Sequence, residues 1–452
     1  MSAVPSSAMG AWQPVSPDEP RADGEHEART VAAIARALAD IPFYAKRGHA
    51  APAPGTPLRD ALAALPLLFK KDARATLPKQ WVPAGRDTRA ELDTGTLVLV
   101  ETNETTGERT RMLRDGGWWE RQEARALRTN ALLAAAMRGE GRPWREAVLA
   151  TPATGLRTCN VGDLAYGDRL EGERLHLNQR PDPTFWTEEE QVRMLAELGQ
   201  HATVALEADP LHLATLARFA SARGFRLDVA GPVRLTYGLA TRAEVRAIRG
   251  AFAGPLLQEY RASDAGVLFV EGDDGRLHHA PFTTHVELLR ARVPTPGATD
   301  VALVVATSLD RLAMPLVRWV VGDLVRVDDA GPRRFTTVPP LASVEGRLDD
   351  ALLLPDGALV TAGALDRAAG DVEGLRLWQA RQAAPGRVEV DVVADGDAGP
   401  VVAAVRARLA PLLAGLEVTV QRAAAIPIEP SGKFRLAKRA FPIDVARTFE
   451  PV

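Results

Sequence analysis

Apolar residues recur at helical spacing over residues 26–40, HEARTVAAIARALAD, so the first element the chain predicts is an amphipathic helix. A Pro/Gly/Ala stretch follows at 51–57. Residues 61–78, ALAALPLLFKKDARATLP, then read as a helix, a proline break and a second short helix. From Leu97 the period changes. TLVLVET (96–102) is a compact apolar run that predicts a buried strand. It enters the polar turn NETTGERT and then a predicted helix holding Trp118 and Trp119, the strand–turn–helix order of nucleotide-handling α/β proteins.

Further along, REAVLATPAT (145–154) predicts a strand and loop, and residues 188–200 an amphipathic helix. Residues 209–224 predict a helix stopped by Gly224. VRLTYG (233–238) predicts a strand, 242–252 a helix, and GVLFVEG (266–272) the start of a β-rich stretch. VALVVATSL (301–309) is short enough for a buried strand. A second regime begins at GRLDD (346–350). It holds a hairpin-like LLLPDGALV, a strand RVEVDVVAD, the helix at 401–415, a strand LEVTVQR and a loop carrying PSGK. The expected fold class is therefore α/β: a large multi-layer domain with a β-rich part over residues 1–345, with 1–25 a loose leader, and a small α+β domain over 346–452.

Composition narrows the function classes. The 452 residues exceed one ordinary core. A charged fraction of 25% with net charge −3 gives no basic footprint for nucleic acid, and the abundant arginine, mixed with acids, reads as solvated surface. One cysteine, Cys159, excludes an intramolecular disulfide framework and fits a reducing cytoplasm. The N-terminus shows no basic-then-apolar signal, and no apolar run reaches the ~18 residues that span a bilayer. A cytoplasmic protein without a membrane partner is the expectation.

Six ordered motifs then carry a resemblance: LPLLFKKDAR (65–74), TNETTGERT (102–110), EYRASDAG (259–266), RWVVGDLVRV (318–327), GRLDD (346–350) and PSGKFR (430–435). Together, over roughly residues 60–440, they resemble the phenylacetate-CoA ligase-like branch of the adenylate-forming enzymes. The resemblance implies a large domain and a mobile C-terminal lid. Its reaction uses ATP and Mg2+ to turn a small, often aromatic, carboxylic acid into an acyl-adenylate, then transfers the acyl group to coenzyme A or to the phosphopantetheine of a carrier protein. It also implies a homodimer.

By position in these motifs, Thr102, Thr105, Thr106 and Gly107 would hold phosphate oxygens, with Thr106 also catalytic. Tyr260 would flank the adenine or acyl group, with a core tyrosine as the plain alternative. Asp323 would accept the ribose hydroxyls, and Arg347 would reach the nucleotide. Asp349 would be the hinge of the lid. Lys433 would be the catalytic ammonium against charge on the α-phosphate, and Asp264 the catalytic, magnesium-linked carboxylate. Three positions depart from the pattern: Glu104 and Arg261 stand at glycines, and Asp264 at a glutamate. Hence three readings stay open: a working ligase, an acyltransferase between coenzyme A and a carrier with adenylation lost, and a non-catalytic scaffold.

Other candidates are set aside. His278, His279 and His285 read as surface or edge residues rather than a metal site or a base for thiol attack. Cys159 reads as a structural thiol rather than a transferase nucleophile. Trp118 and Trp119 define no pocket. Trp186 reads as an anchor at a helix start, with Thr187 the cap.

Overall fold

Strands of two kinds meet in one 13-stranded sheet, and the change of kind falls at Leu256–Ala262. To one side, Val233–Leu235, Ala205–Ala208, Glu146–Leu149 and Arg174–His176 follow as parallel neighbours. To the other, Gly266–Glu271 turns back antiparallel, and the sheet continues antiparallel through Leu277–His279, Leu341–Arg347, Trp319–Val327, Val301–Ser308 and Thr284–Ala291. The computed structural model describes residues 24–102, 110–139, 143–151, 162–331, 338–429 and 432–450.

Parallel neighbours need crossover connections. Helices Glu188–Gln200, Pro210–Ala222 and Arg242–Ala251 supply them. Their starts are written locally. Thr187 and Thr241 each form a capping box, with Glu190 and Glu244, and Asp209 caps the helix between them. Trp186 is buried ahead of Thr187, as expected of an anchor.

Val301–Ser308 is buried at every position. Ala302, Val304 and Ala306 face a core closed by helix Gly24–Asp40. Val301, Leu303 and Val305 face Leu352, Val360, Leu365 and Trp378 from the C-terminal part of the chain. A strand covered on both faces has no polar side to show, which explains the continuous apolar run. The C-terminal part holds the four-stranded sheet Glu417–Arg422, Arg387–Ala394, Leu375–Ala384, Ala437–Arg439, packed with helices Ala362–Ala369 and Ala398–Leu409. This is an α/β fold with a large mixed sheet and a smaller α+β C-terminal part.

Three expectations change. Leu97–Thr102 does not lead directly into a helix. It pairs antiparallel with Thr110–Asp115 as a separate two-stranded sheet, and the helix Trp118–Leu127 comes only afterwards. The cause is the burial of the second strand: Thr110 and Met112 on one face and Leu113 on the other are all buried, so RMLRD serves as a strand and not as a helix start. Arginine is not confined to the surface either, because Arg169, Arg234 and Arg311 are among the largest fully buried side chains. Each is matched by carboxylates or carbonyls, the condition for burying a guanidinium. Lastly, the first helix begins at Gly24, inside the segment read as leader.

The histidines are also not edge residues. His278 and His279 are each 3% exposed. His278 meets the Asp274 carboxylate at 2.9 Å, while His279 and His285 cluster with His26 of the first helix. His26 Nε2 lies 3.1 Å from His285 Nδ1. A partner some 250 residues away leaves no trace in local pattern. Among the described residues no group of three or more metal-ligating side chains is placed to hold a metal ion, and no helix is long and apolar enough to cross a membrane.

Candidate active site

A cavity of about 170 Å³ opens at the carboxyl ends of Val233–Leu235 and Leu256–Ala262, where the sheet changes from parallel to antiparallel. Such a switch point is where open α/β sheets leave room for a ligand. The loop after the first strand contributes Thr236 to Thr241, and the end of the second contributes Tyr260, Arg261 and Asp264.

Asp323 and Arg347 reach the cavity from paired antiparallel strands, in register with each other, with Arg347 Nε 3.5 Å from Asp323 Oδ1. Tyr260 donates its hydroxyl to the other oxygen, Oδ2, at 3.0 Å, and its ring stacks on Phe269. Tyr260 is thus a buried residue of the core that also lines the cavity. Burial raises the Asp323 carboxyl above its usual range, and Arg347 and the tyrosine hydroxyl oppose that rise. Arg347 holds its proton more firmly through Asp323 and the neighbouring acids, against the cost of its own burial.

Asp264 is 3% exposed. Its Oδ2 accepts the Trp319 indole N–H at 2.7 Å, and Lys70 Nζ stands 3.9 Å from the same oxygen. Lys70 is carried there by a short splice in which Leu68 N–H bonds Arg318 O, and Val320 N–H bonds Leu68 O. The motif LPLLFKKDAR therefore has a job the sequence did not reveal. Of its two adjacent lysines, Lys70 lines the cavity and Lys71 is exposed.

Lys433 arrives from the opposite side, on the loop before Ala437–Arg439. Its pKa is pushed down to about 8, chiefly by burial and next by Arg347, with Asp323 and Asp209 pulling the other way. The loop is pressed onto the large sheet at Gly432, whose φ of +79° suits glycine and whose missing Cβ leaves room for Thr151. Behind it Arg435 Nε donates to Asp350 at 2.7 Å, and burial lifts the Asp350 carboxyl to about 6. Asp349 sits in the 3-10 turn Leu348–Asp350 with its side chain exposed and lies outside the cavity lining, whereas Asp350 lines it.

Four expected residues therefore converge on one cavity with Lys433: Tyr260, Asp264, Asp323 and Arg347. Thr102 closes the strand Leu97–Thr102. Thr105, Thr106, Gly107, Glu104 and Cys159 lie outside the described residues. Arg261 turns into a buried cluster, where it pairs with Glu123 at 3.0 Å and with Glu207. Neither Trp118 nor Trp119 lines the cavity.

Lys70, Arg347 and Lys433 line the cavity together with the Asp264 and Asp323 carboxylates. Such a set of charges has the chemistry to bind a polyanion carrying hydroxyls.

No protein-family model matches the chain, and no curated protein matches it by sequence. Solved structures do. 2-Hydroxyisobutyryl-CoA ligase in its post-adenylation state, with an acyl-AMP bound, aligns over 94% of this chain and 93% of its own at 17% identity and TM-score 0.66. The same ligase in its thioester-forming state, with acyl-AMP and CoA, aligns over 92% and 90% at 18% identity with TM-score 0.51. An anthranilate-CoA ligase bound to anthranoyl-AMP aligns over 75% of this chain and 65% of its own at 11% identity and TM-score 0.51. At these identities the likeness establishes architecture: this chain has the fold of the acyl-CoA ligases.

Proposed function

We propose that this protein is an adenylate-forming ligase. It activates a small carboxylic acid with ATP as an acyl-adenylate and passes the acyl group to a thiol of coenzyme A or of a carrier's phosphopantetheine. The observation that carries this reading is the presence of Lys433 in the same cavity as Asp323 and Arg347, residues separated by about a hundred positions. Asp323 and Arg347 would bind the ribose and a phosphate, and Lys433 would meet the negative charge that builds as the carboxylate attacks the α-phosphate. Asp264 and Asp323 offer hard carboxylate oxygens suited to magnesium. The ion would be held by these with phosphate oxygens and water, and would supply charge neutralisation.

Residues 346–452 would act as the lid, turning about Asp349 once the adenylate has formed. The higher TM-score against the post-adenylation state supports a lid set for the first half-reaction. Arg261, one of the departures from the family pattern, spends its charge on buried glutamates and so leaves the nucleotide end undisturbed.

The test is pyrophosphate exchange that depends on an added acid, run across a panel. Acid-dependent exchange supports the ligase. Absence of exchange, together with acyl transfer from preformed acyl-CoA without ATP, replaces it with the acyltransferase.

A further inference from the structure

Tyr237 and Glu259 line the same cavity as Asp323 and Lys433, and the backbone at Tyr237 is unusual. Tyr237 follows the strand Val233–Leu235 with φ +72°. A left-handed backbone costs a non-glycine residue about 1–2 kcal/mol, and strained residues of this kind persist only where their surroundings hold them. Two contacts hold this one. Its hydroxyl donates to Glu207, and the Arg261 guanidinium lies 4.4 Å over its ring.

Behind Tyr237 the sheet face is ionic. Arg234 joins Glu146, Glu207 and Glu259, and Arg174 and Arg261 both pair with Glu123. That is four carboxylates, at 123, 146, 207 and 259, against three guanidiniums, at 174, 234 and 261, so acceptors outnumber cations by one. Glu259 lines the cavity at 5% exposure. Its Oε1 accepts no hydrogen bond from the described residues and lies 3.6 Å from Arg261. Burying such an oxygen unbonded costs about 1–3 kcal/mol.

We propose that Tyr237 and Glu259 restrict the acid to a short acyl chain bearing a hydrogen-bond donor, a hydroxyl or an ammonium, close to the carboxyl group. Tyr237 is the specificity-determining residue that closes the pocket, and Glu259 Oε1 receives the donor. This rests on the adenylation reading of the same cavity. An aromatic acid would have to displace the tyrosine ring and lie on ionised groups. Glycine is the residue the backbone at 237 prefers, so Tyr237→Gly relieves strain and opens the pocket in one step.

The experiment compares pyrophosphate exchange by wild type, Tyr237→Gly and Tyr237→Phe. Its substrates are three- and four-carbon hydroxy acids, amino acids of the same size, the unsubstituted acids, benzoate and phenylacetate. The wild type should favour a hydroxy or amino acid at least tenfold in kcat/KM over its unsubstituted counterpart. Tyr237→Gly should shift selectivity tenfold or more toward benzoate or phenylacetate, while Tyr237→Phe should keep the wild-type size ranking. Glu259→Gln separates the two donors, since it should cost amino acids more than hydroxy acids.

Wild-type preference for the aromatic acids, or an unchanged ranking in folded Tyr237→Gly, overturns the proposal. Calorimetric binding of sulfamoyl-adenosine analogues carrying the same acyl groups reads the pocket without turnover. A flat ranking there overturns this inference alone, whereas no binding by any analogue overturns the adenylation reading as well.

Discussion

Asp323 and Arg347 stand directly opposite each other on antiparallel strands, and the pair joins the large sheet to the turn that leads into the C-terminal part. With Tyr260 on its second oxygen, Asp323 is held in place before any ligand arrives. A carboxylate placed in this way should bind two vicinal hydroxyls through charge-assisted hydrogen bonds. Asp323→Ala should therefore weaken AMP and ATP binding by about 2–4 kcal/mol, roughly thirty- to a thousandfold. Titration calorimetry with AMP checks this, and unchanged affinity would remove Asp323 from the nucleotide site.

Lys433 gives a prediction with a pH signature. Its ammonium is destabilised by burial and by Arg347, so it loses its proton near pH 8. If the charged form stabilises the transition state, acid-dependent exchange should fall as pH rises through about 8. Lys433→Ala should lower exchange at least a hundredfold and abolish that limb of the profile. A full profile retained by Lys433→Ala excludes the role.

Where local pattern decides, the sequence was readable. Residues 188–200 and 209–224 carry their caps and stop signals in order, and both helices form as expected. The motifs around 260, 323, 347 and 433 could be placed by resemblance, and the fold brings those four residues to one cavity. Pairings across long separations could not be read. Glu207, Arg234 and Glu259 become neighbours only when three strands align, and each alone looks like a solvated charge. Lys70 could not be told from Lys71, since the splice from Leu68 to Val320 decides which one faces inward. The strand Leu375–Ala384 escaped notice because LRLWQARQAA has the composition of a helix. Pairing with Arg387–Ala394 overrides that propensity.

The buried ionic cluster predicts a large stability effect. Removing the Arg234 guanidinium leaves the buried Glu146, Glu207 and Glu259 without their shared partner, with only Arg174 and Arg261 beside them. Losing one member of a buried set costs about 3–5 kcal/mol, because the remaining charge is uncompensated. Arg234→Ala should lower the unfolding free energy by that amount in denaturant titration, and Arg234→Lys should recover only part of it. A loss below 1 kcal/mol would mean that water or proton uptake compensates the cluster.

Gly432 gives a test of how the Lys433 loop docks that leaves the side chains proposed for catalysis untouched. Any Cβ there overlaps Thr151 Oγ1 and Cβ, and φ of +79° adds about 1–2 kcal/mol of backbone strain. Gly432→Ala should therefore unseat the Lys433 loop and cut exchange at least tenfold, with little change in thermal stability because neither Gly432 nor Thr151 belongs to a hydrophobic core cluster. Equal activity of the variant and wild type would show that the loop reaches the cavity without this contact.

The histidine cluster predicts acid lability. Burial and mutual repulsion hold His279 well below its ordinary pKa and bring His285 down to about 3. The unfolded chain takes up protons once pH falls below about 6.5, while the folded chain resists until far lower. Stability should then decline from about pH 6.5 downward and level off near 3 for His285. His26 sits on the first helix, so protonation of the cluster loosens that helix from the strands beneath it. Thermal unfolding at pH 7 and pH 5 should show a smaller drop for His285→Asn than for wild type. An equal drop in both would assign the acid sensitivity to the buried carboxylates instead.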